Sequence, residues 1–225
     1  MIQSNHIGKV TLMLAAVAGY CDTATFVAGD NIFSAHVTGN FITFAYQIVT
    51  GSDINTWIKL ITFPVFIIAV IMGGRLSLNA ANKNKILLIE AIILIIAGAL
   101  PLLWHFENDK VFMYTVVMMV VFALGLQNAY GKLFSKETHG PTTMMTGNVT
   151  QASLDFGSLL TGKFSAGDAL TSFKKQMTTI TGFLAGCMLG AFASREYGLA
   201  SILLPGVSMV ACYFLSVKPQ VAVQQ

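Results

Sequence analysis

Charge is what this 225-residue sequence has least of: Lys, Arg, Asp and Glu make up 10% of it and hydrophobic residues 55%, whereas an average soluble domain is about 25% charged. So little ionic surface excludes a water-soluble globule. The net charge of +3 comes from Lys and Arg crowded into short connecting segments, which is how orientation in a membrane is encoded and not a nucleic-acid footprint. Cysteine is also scarce. Cys21, Cys187 and Cys212 all lie in apolar stretches without metal-ligand spacing, and an odd member could not pair within the chain, so they read as small core hydrophobes and no metal site is expected. No H-E-x-x-H, no G-x-S-x-G, no intramembrane G-x-G-D and no cofactor loop occurs, so neither an enzyme nor a cofactor is expected.

Long apolar runs are what is there. Lys9 ahead of Val10 to Gly19 resembles a secretory signal, and Cys21 a lipidation site, but Tyr20 is too large to precede a lipidated Cys and the apolar run continues past it. Stretches long enough to cross a bilayer lie at Val10 to Ala28, Ile54 to Gly74, Ile86 to Trp104, Val111 to Tyr130, Met177 to Ala193 and Leu199 to Val217. Two more are too short. As helices, Thr38 to Thr50 and Thr146 to Leu160 reach only about 20–22 Å, against a hydrocarbon core of roughly 30 Å, so each reads as half of a re-entrant loop.

Six crossings place Lys9, Arg75, Lys83, Lys85, Lys132, Lys136, Lys163, Lys174, Lys175 and Lys218 on one side, leaving only Lys59, Lys110 and Arg195 on the other. That bias puts both termini in the cytoplasm. The expected fold is an all-α polytopic membrane protein of six transmembrane helices plus two re-entrant half-helices.

The halves also resemble each other. Gly19-Tyr20-Cys21-Asp22 closes the first span and Gly125-Leu126-Gln127-Asn128 the fourth, and each is followed by a Thr-Gly-Asn triplet, Thr38-Gly39-Asn40 and Thr146-Gly147-Asn148. Phe66 to Gly73 matches Phe183 to Gly190. The reading is a repeat of residues 1–104, with a re-entrant segment near 31–52, and residues 105–225, with one near 141–162. Three crossings per unit make the second unit inverted, and the half-helix N-termini are expected to meet near the midplane.

The run from Gly19 to Asp22, then Phe33-Ser34-Ala35-His36-Val37-Thr38-Gly39-Asn40, Gly125 to Ala129, and Thr146-Gly147 together resemble the YoaK-like bacterial family of small multipass membrane proteins. The resemblance covers nearly the whole chain. It implies a bacterial inner-membrane setting but no substrate, because that family has no assigned function.

Thr38 and Thr146 are suitable N-caps, Gly39 and Gly147 admit close approach, and Asn40 and Asn148 place an amide in each first turn. Two converging helix N-termini suit a small anion or a substrate carboxylate; the triplets serve equally as caps that pack two broken helices. Asp22, with Asn128 as its counterpart, faces a cavity, a partner or a proton path, or else reaches the headgroups as interfacial Asp30 does. Asp155 shares a helix face with Asn148, and Gln47 occupies the matching place in the first half. His36, matched by Met144, reads as a mouth residue, and Tyr20, Tyr46 and Gln127 as pathway-lining groups. Glu90 is expected to snorkel to the cytoplasmic surface near Lys83 and Lys85, in preference to coupling to transport. Met113, Met118 and Met119 read as packing. Gly73, Gly74, Gly182, Gly186 and Gly190 form close-packing positions, against either this chain or a second copy in a homo-oligomer.

The function these residues imply is transport, by a secondary transporter or channel, of a small polar or anionic solute between the Thr-Gly-Asn half-helices. The likeness to aquaporins is one of layout alone, since Asn-Pro-Ala is absent. A non-transporting scaffold or assembly protein is the alternative. The partners expected are the lipid bilayer and a small-molecule or ion substrate.

Overall fold

The computed structural model describes residues 2–51, 54–78, 83–104, 109–143, 145–161 and 166–217. Met144, Lys163 and Lys218 lie outside the described residues, as does the side chain of Lys83. The described residues are helical and contain no strand: α1 (Ile2–Ala28), α2 (Gly39–Thr50), α3 (Ile58–Leu76), α4 (Lys83–Leu103), α5 (Lys110–Leu133), α6 (Met145–Thr161), α7 (Ala166–Tyr197) and α8 (Leu203–Val217). Single 3-10 turns, Ile54–Trp57 and Gly198–Ile202, lead into α3 and α8.

Among the described residues five stretches are long and apolar enough to cross a membrane: His6–Ala28, Asn55–Leu76, Asn84–Leu103, Lys110–Leu133 and Gly167–Val217. The last is 51 residues long, and the chain breaks it at Gly198, whose φ of 57° lies in the left-handed region open to glycine. Helix α7 is 32 residues, about 48 Å, and begins well before the expected Met177. Lys174 and Lys175 end the apolar run without ending the helix, because both are good helix formers.

Polarity is distributed as a membrane solvent requires. Ile61, Ile67, Ile68 and Ile71 of α3 and Leu184, Leu189 and Phe192 of α7 face outward, while Thr11, Asp22, Asn40, Lys59, Glu90 and Gln127 are buried. Apolar side chains outside and polar ones within mark a membrane-embedded helical protein.

The bundle is held by three close helix pairs. Helix α1 runs along α7, α3 along α5, and α4 along α8. In the first pair, a Cβ added at Gly182, Gly186 or Gly190 would fall 2.7, 2.0 and 2.5 Å from the carbonyl oxygens of Leu12, Ala16 and Tyr20. Every fourth residue of α7 thus meets every fourth residue of α1, the small-residue approach by which membrane helices associate. The stripe is used within the chain. In the second pair Gly125 faces Ala69 and Phe66, and Gly73 faces Ala129. In the third Gly98 abuts the backbone of Leu203 and Gly206 that of Ile95, two contacts whose partners are displaced along the chain by the same interval. Gly74 meets nothing within 4 Å.

Side-chain bonds fix which ends lie together. His6 Nε2 is 2.9 Å from the Leu215 carbonyl, the His139 N–H donates to Thr11 Oγ1, and Asn84 Nδ2 donates to the Ser216 carbonyl. The start of α1 and the end of α8 therefore share one end of the bundle. At the other end Lys59 of α3 donates to the Asp30 carbonyl and pairs with its carboxylate at 3.4 Å, and Tyr114 of α5 donates to the same carboxylate at 3.0 Å.

Gly186→Ala is expected to lower the folded stability by about 1–3 kcal/mol through overpacking against Ala16, whereas Gly74→Ala gains about 0.5–1 kcal/mol as a helix-interior glycine replaced in open space. Thermal unfolding of both variants in detergent checks the contrast; equal midpoints would mean the α1–α7 crossing is looser than described.

Candidate functional site

The connection from α1 to α2 turns inward. Asp30 and Asn31 take left-handed φ of 58° and 55°, conformations that Asp and Asn tolerate better than most residues. Beyond them Ile32, Ser34, Ala35 and Val37 are buried. A backbone segment buried away from water must find partners for its N–H and C=O groups, and two side chains meet that need. Asp22, 4% exposed, accepts the N–H groups of Ala35 at 2.7 Å and His36 at 3.2 Å on Oδ1, while its Oδ2 accepts His36 Nδ1–H at 2.7 Å. Asp22 thus spends both carboxylate oxygens on partners within the chain. Asn40 accepts the Phe33 N–H at 2.8 Å on Oδ1, and its Nδ2 donates to the Phe33 carbonyl at 2.8 Å and to Thr62 Oγ1 at 3.0 Å. The amide of Asn40 is thereby saturated.

The connection from α5 to α6 is held in a related way. Asn128 Nδ2 donates to Thr143 Oγ1 at 2.7 Å, and Gln127 Nε2 donates to Thr142 Oγ1 at 2.9 Å and to the Leu14 carbonyl at 2.8 Å. Asn148 Nδ2 reaches only the Pro141 carbonyl, at 3.5 Å. Pro141 has no N–H to return, so the two-way bond that Asn40 makes with Phe33 cannot form here.

Several expectations change. Thr38 is exposed, has helical dihedrals and makes no side-chain cap. The first N–H groups of α2 instead turn back on the loop, from Gly39 to His36, Asn40 to Val37 and Phe41 to Thr38. An anion at that end would have to displace these carbonyls. Thr146 and Gly147 lie exposed inside the first turn of α6, with nothing within 4 Å of a Cβ at Gly147. Helix α2 packs on α3 and α6 on α7, and neither short helix packs extensively on the other. Helix α2 leaves Ile42, Tyr46 and Val49 exposed and Gln47 half-buried.

Asn148, Ala152 and Asp155 form the buried face of α6. Asp155 accepts from Gln151 Nε2 at 2.8 Å on Oδ1, and its Oδ2 has no partner. Tyr20 donates to the Ser201 carbonyl at 3.0 Å. Glu90 does not snorkel: it is fully buried and neither carboxyl oxygen has a hydrogen-bond partner. Counting residues from the start of the span placed it near the surface, but α8 covers that face of α4. No group of three His, Cys, Asp or Glu side chains suited to a metal occurs among the described residues.

Lys59, Thr62, Thr142 and Thr143 were not singled out as site residues. A lysine early in one span and an aspartate at the end of another, both assigned to the same side, was the one signal available for the Lys59–Asp30 pair. The threonines carried none.

The fold and these clamps define a helical membrane protein whose largely apolar interior holds several buried polar groups and some non-helical backbone. The chain belongs to the family DUF1275, described as a protein of unknown function, which it matches over residues 10–215. This agrees with the resemblance to the YoaK-like proteins. No curated protein and no solved structure matches the chain.

Two outcomes follow from the clamps. Asn40→Ala strands both polar groups of Phe33 and is expected to cost about 1–3 kcal/mol, whereas Asn148→Ala, losing one long bond, costs less; paired unfolding midpoints test the order. The hydrogen bond to Asp22 raises the His36 imidazole above its ordinary 6.5, against an opposing effect of burial. A raised folded-state value gives stability that is full below the unfolded value and is lost as pH rises through the folded one. The unfolding midpoint should therefore fall as pH climbs above 6.5, and His36→Ala should flatten that fall. Parallel profiles for the two proteins would show that the pair contributes nothing.

Proposed function

We propose that the protein is a membrane transport protein, a secondary transporter or channel for a small polar or anionic solute, set in a bacterial inner membrane with both termini in the cytoplasm. The observation that carries this reading is the pair of partly buried, non-helical connections, residues 29–38 and 134–143, each held by a polar residue near the end of the preceding helix, Asp22 or Asn128. Non-helical backbone within a membrane protein is tolerated where protein or a water-filled cavity satisfies it, and such segments recur at transport sites.

In this reading the chain makes six crossings, α1, α3, α4, α5, α7 and α8, with α2 and α6 as re-entrant half-helices. Its halves are inverted copies, residues 1–104 and 105–225. The exchange of packing supports the repeat: the first helix of each half lies along the third of the other, α1 on α7 and α3 on α5, while the last helices, α4 and α8, lie on each other. The solute passes beside the two buried connections, near Asp22 and His36 in one half and Gln127 and Asn128 in the other. The triplets Thr38-Gly39-Asn40 and Thr146-Gly147-Asn148 shape those connections, with Asp155 and Gln47 on the half-helices behind them. The alternative, a non-transporting membrane scaffold, draws on the saturated amide of Asn40, which suits a purely structural triplet.

Purified protein in liposomes, assayed with small anions and neutral solutes with and without a proton gradient, tests the reading. Wild type should carry one of them, and Asp22→Asn and Asn128→Ala should each cut that flux about tenfold, the factor that ~1.4 kcal/mol represents, while remaining folded. Folded wild type that moves nothing, or full flux in both variants, would favour the scaffold.

A further inference from the structure

The least accommodated group in the bundle is Glu90. Its exposure is 0%, and fully buried Ile86, Leu87, Ala91 and Leu94 surround it along α4. Neither carboxyl oxygen meets a donor. Among the described residues no charged group offsets its burial. The titratable groups within electrostatic reach are the thiols of Cys21 on α1 and Cys212 on α8; Tyr130 of α5 bears on Cys212 in turn. Helix α3 and the Gly198–Ile202 turn present none among the described residues. The α4–α8 seam closes tightly on the far side, with Gly98 against Leu203 and Gly206 against Ile95.

An unpaired carboxylate in such a place costs several kcal/mol even after relaxation. A neutral acid costs only what an unmade hydrogen bond does, about 1–3 kcal/mol. A carboxyl retained in a membrane interior without a cationic partner, at a site where leucine would fit, has one simple ligand. We propose that Glu90 is an intramembrane proton-binding site, holding a proton in the arrangement described here and releasing it only when α4 and α8 part enough to admit water. The step is balanced: the acid O–H bond breaks, the electron pair stays on the carboxylate, and the proton passes to the entering water. Use of that proton to drive a solute rests on the transport reading above. The proton site does not.

Infrared difference spectroscopy on the full-length protein in lipid bilayers tests it without any flux assay. At neutral pH the wild-type spectrum should contain the C=O stretch of a protonated carboxyl in an apolar setting, and Glu90→Gln should lose that band with the intensity of one acid. If Glu90→Gln does not fold, Glu90→Asp, which keeps the acid and alters its surroundings, should shift the same band. A wild-type minus Glu90→Gln difference confined to the carboxylate stretches, or an acid band unmoved in Glu90→Asp, would overturn the proposal. Absence of solute flux would leave the band in place, so failure of the transport reading and failure of the proton site are separable.

Discussion

Backbone that leaves a helix inside a membrane protein has no water to bond with, and the structure turns on how that requirement is met. The connection between α1 and α2 enters the bundle because one carboxylate, Asp22, takes two consecutive N–H groups and an imidazole N–H together. Without an acceptor of that capacity, Ala35 and His36 would present unbonded donors to an apolar interior. Alongside, α7 presses so closely on α1 that the carbonyls of Leu12, Ala16 and Tyr20 lie where side chains of Gly182, Gly186 and Gly190 would otherwise stand. The glycine stripe and the buried carboxylate are parts of one arrangement: the first brings the helices together, and the second lets the chain turn back between them.

The crossings were legible because the bilayer sets a length that an apolar run must meet, and a composition poor in charge makes each run easy to see. The two short helices were legible for the converse reason, being too brief to cross. Where the structure departs from the expectation, the deciding partner is in some places a near neighbour and in others far along the chain. Thr38 carries every local mark of a cap, yet the loop carbonyls of His36, Val37 and Thr38 take the N–H groups first. Glu90 looks close to a surface by residue count, but α8, more than a hundred residues later, covers it. Helix α7 runs past the expected start because lysines interrupt hydropathy and not helix formation. The convergence expected of the triplets assumed that a broken helix points its N-terminus at its counterpart. Here each half-helix leans on the third helix of its own half.

Packing reciprocity and chemical asymmetry coexist. The backbone exchanges partners between halves in matching pairs, but the side chains that hold the two buried connections differ in kind. The first is held by a carboxylate–imidazole pair and by an Asn that bonds both polar groups of Phe33. The second is held by amides on threonine hydroxyls and by one long bond to Pro141, which lacks the N–H that Phe33 offers.

That difference bears on what each half can respond to. An amide donates and accepts without regard to pH, so the grip of Gln127 and Asn128 on Thr142 and Thr143 is the same across the range in which histidine titrates. The grip of Asp22 on His36 is not, because its strength depends on whether the imidazole carries a proton. His36 is also reachable, its side chain 35% exposed where Asp22 is 6%. A proton on the imidazole strengthens its bond to a carboxylate that is already holding the loop. A frame built of reciprocal helix pairs thus holds its first connection through a carboxylate–imidazole pair and its second through amides on threonine hydroxyls.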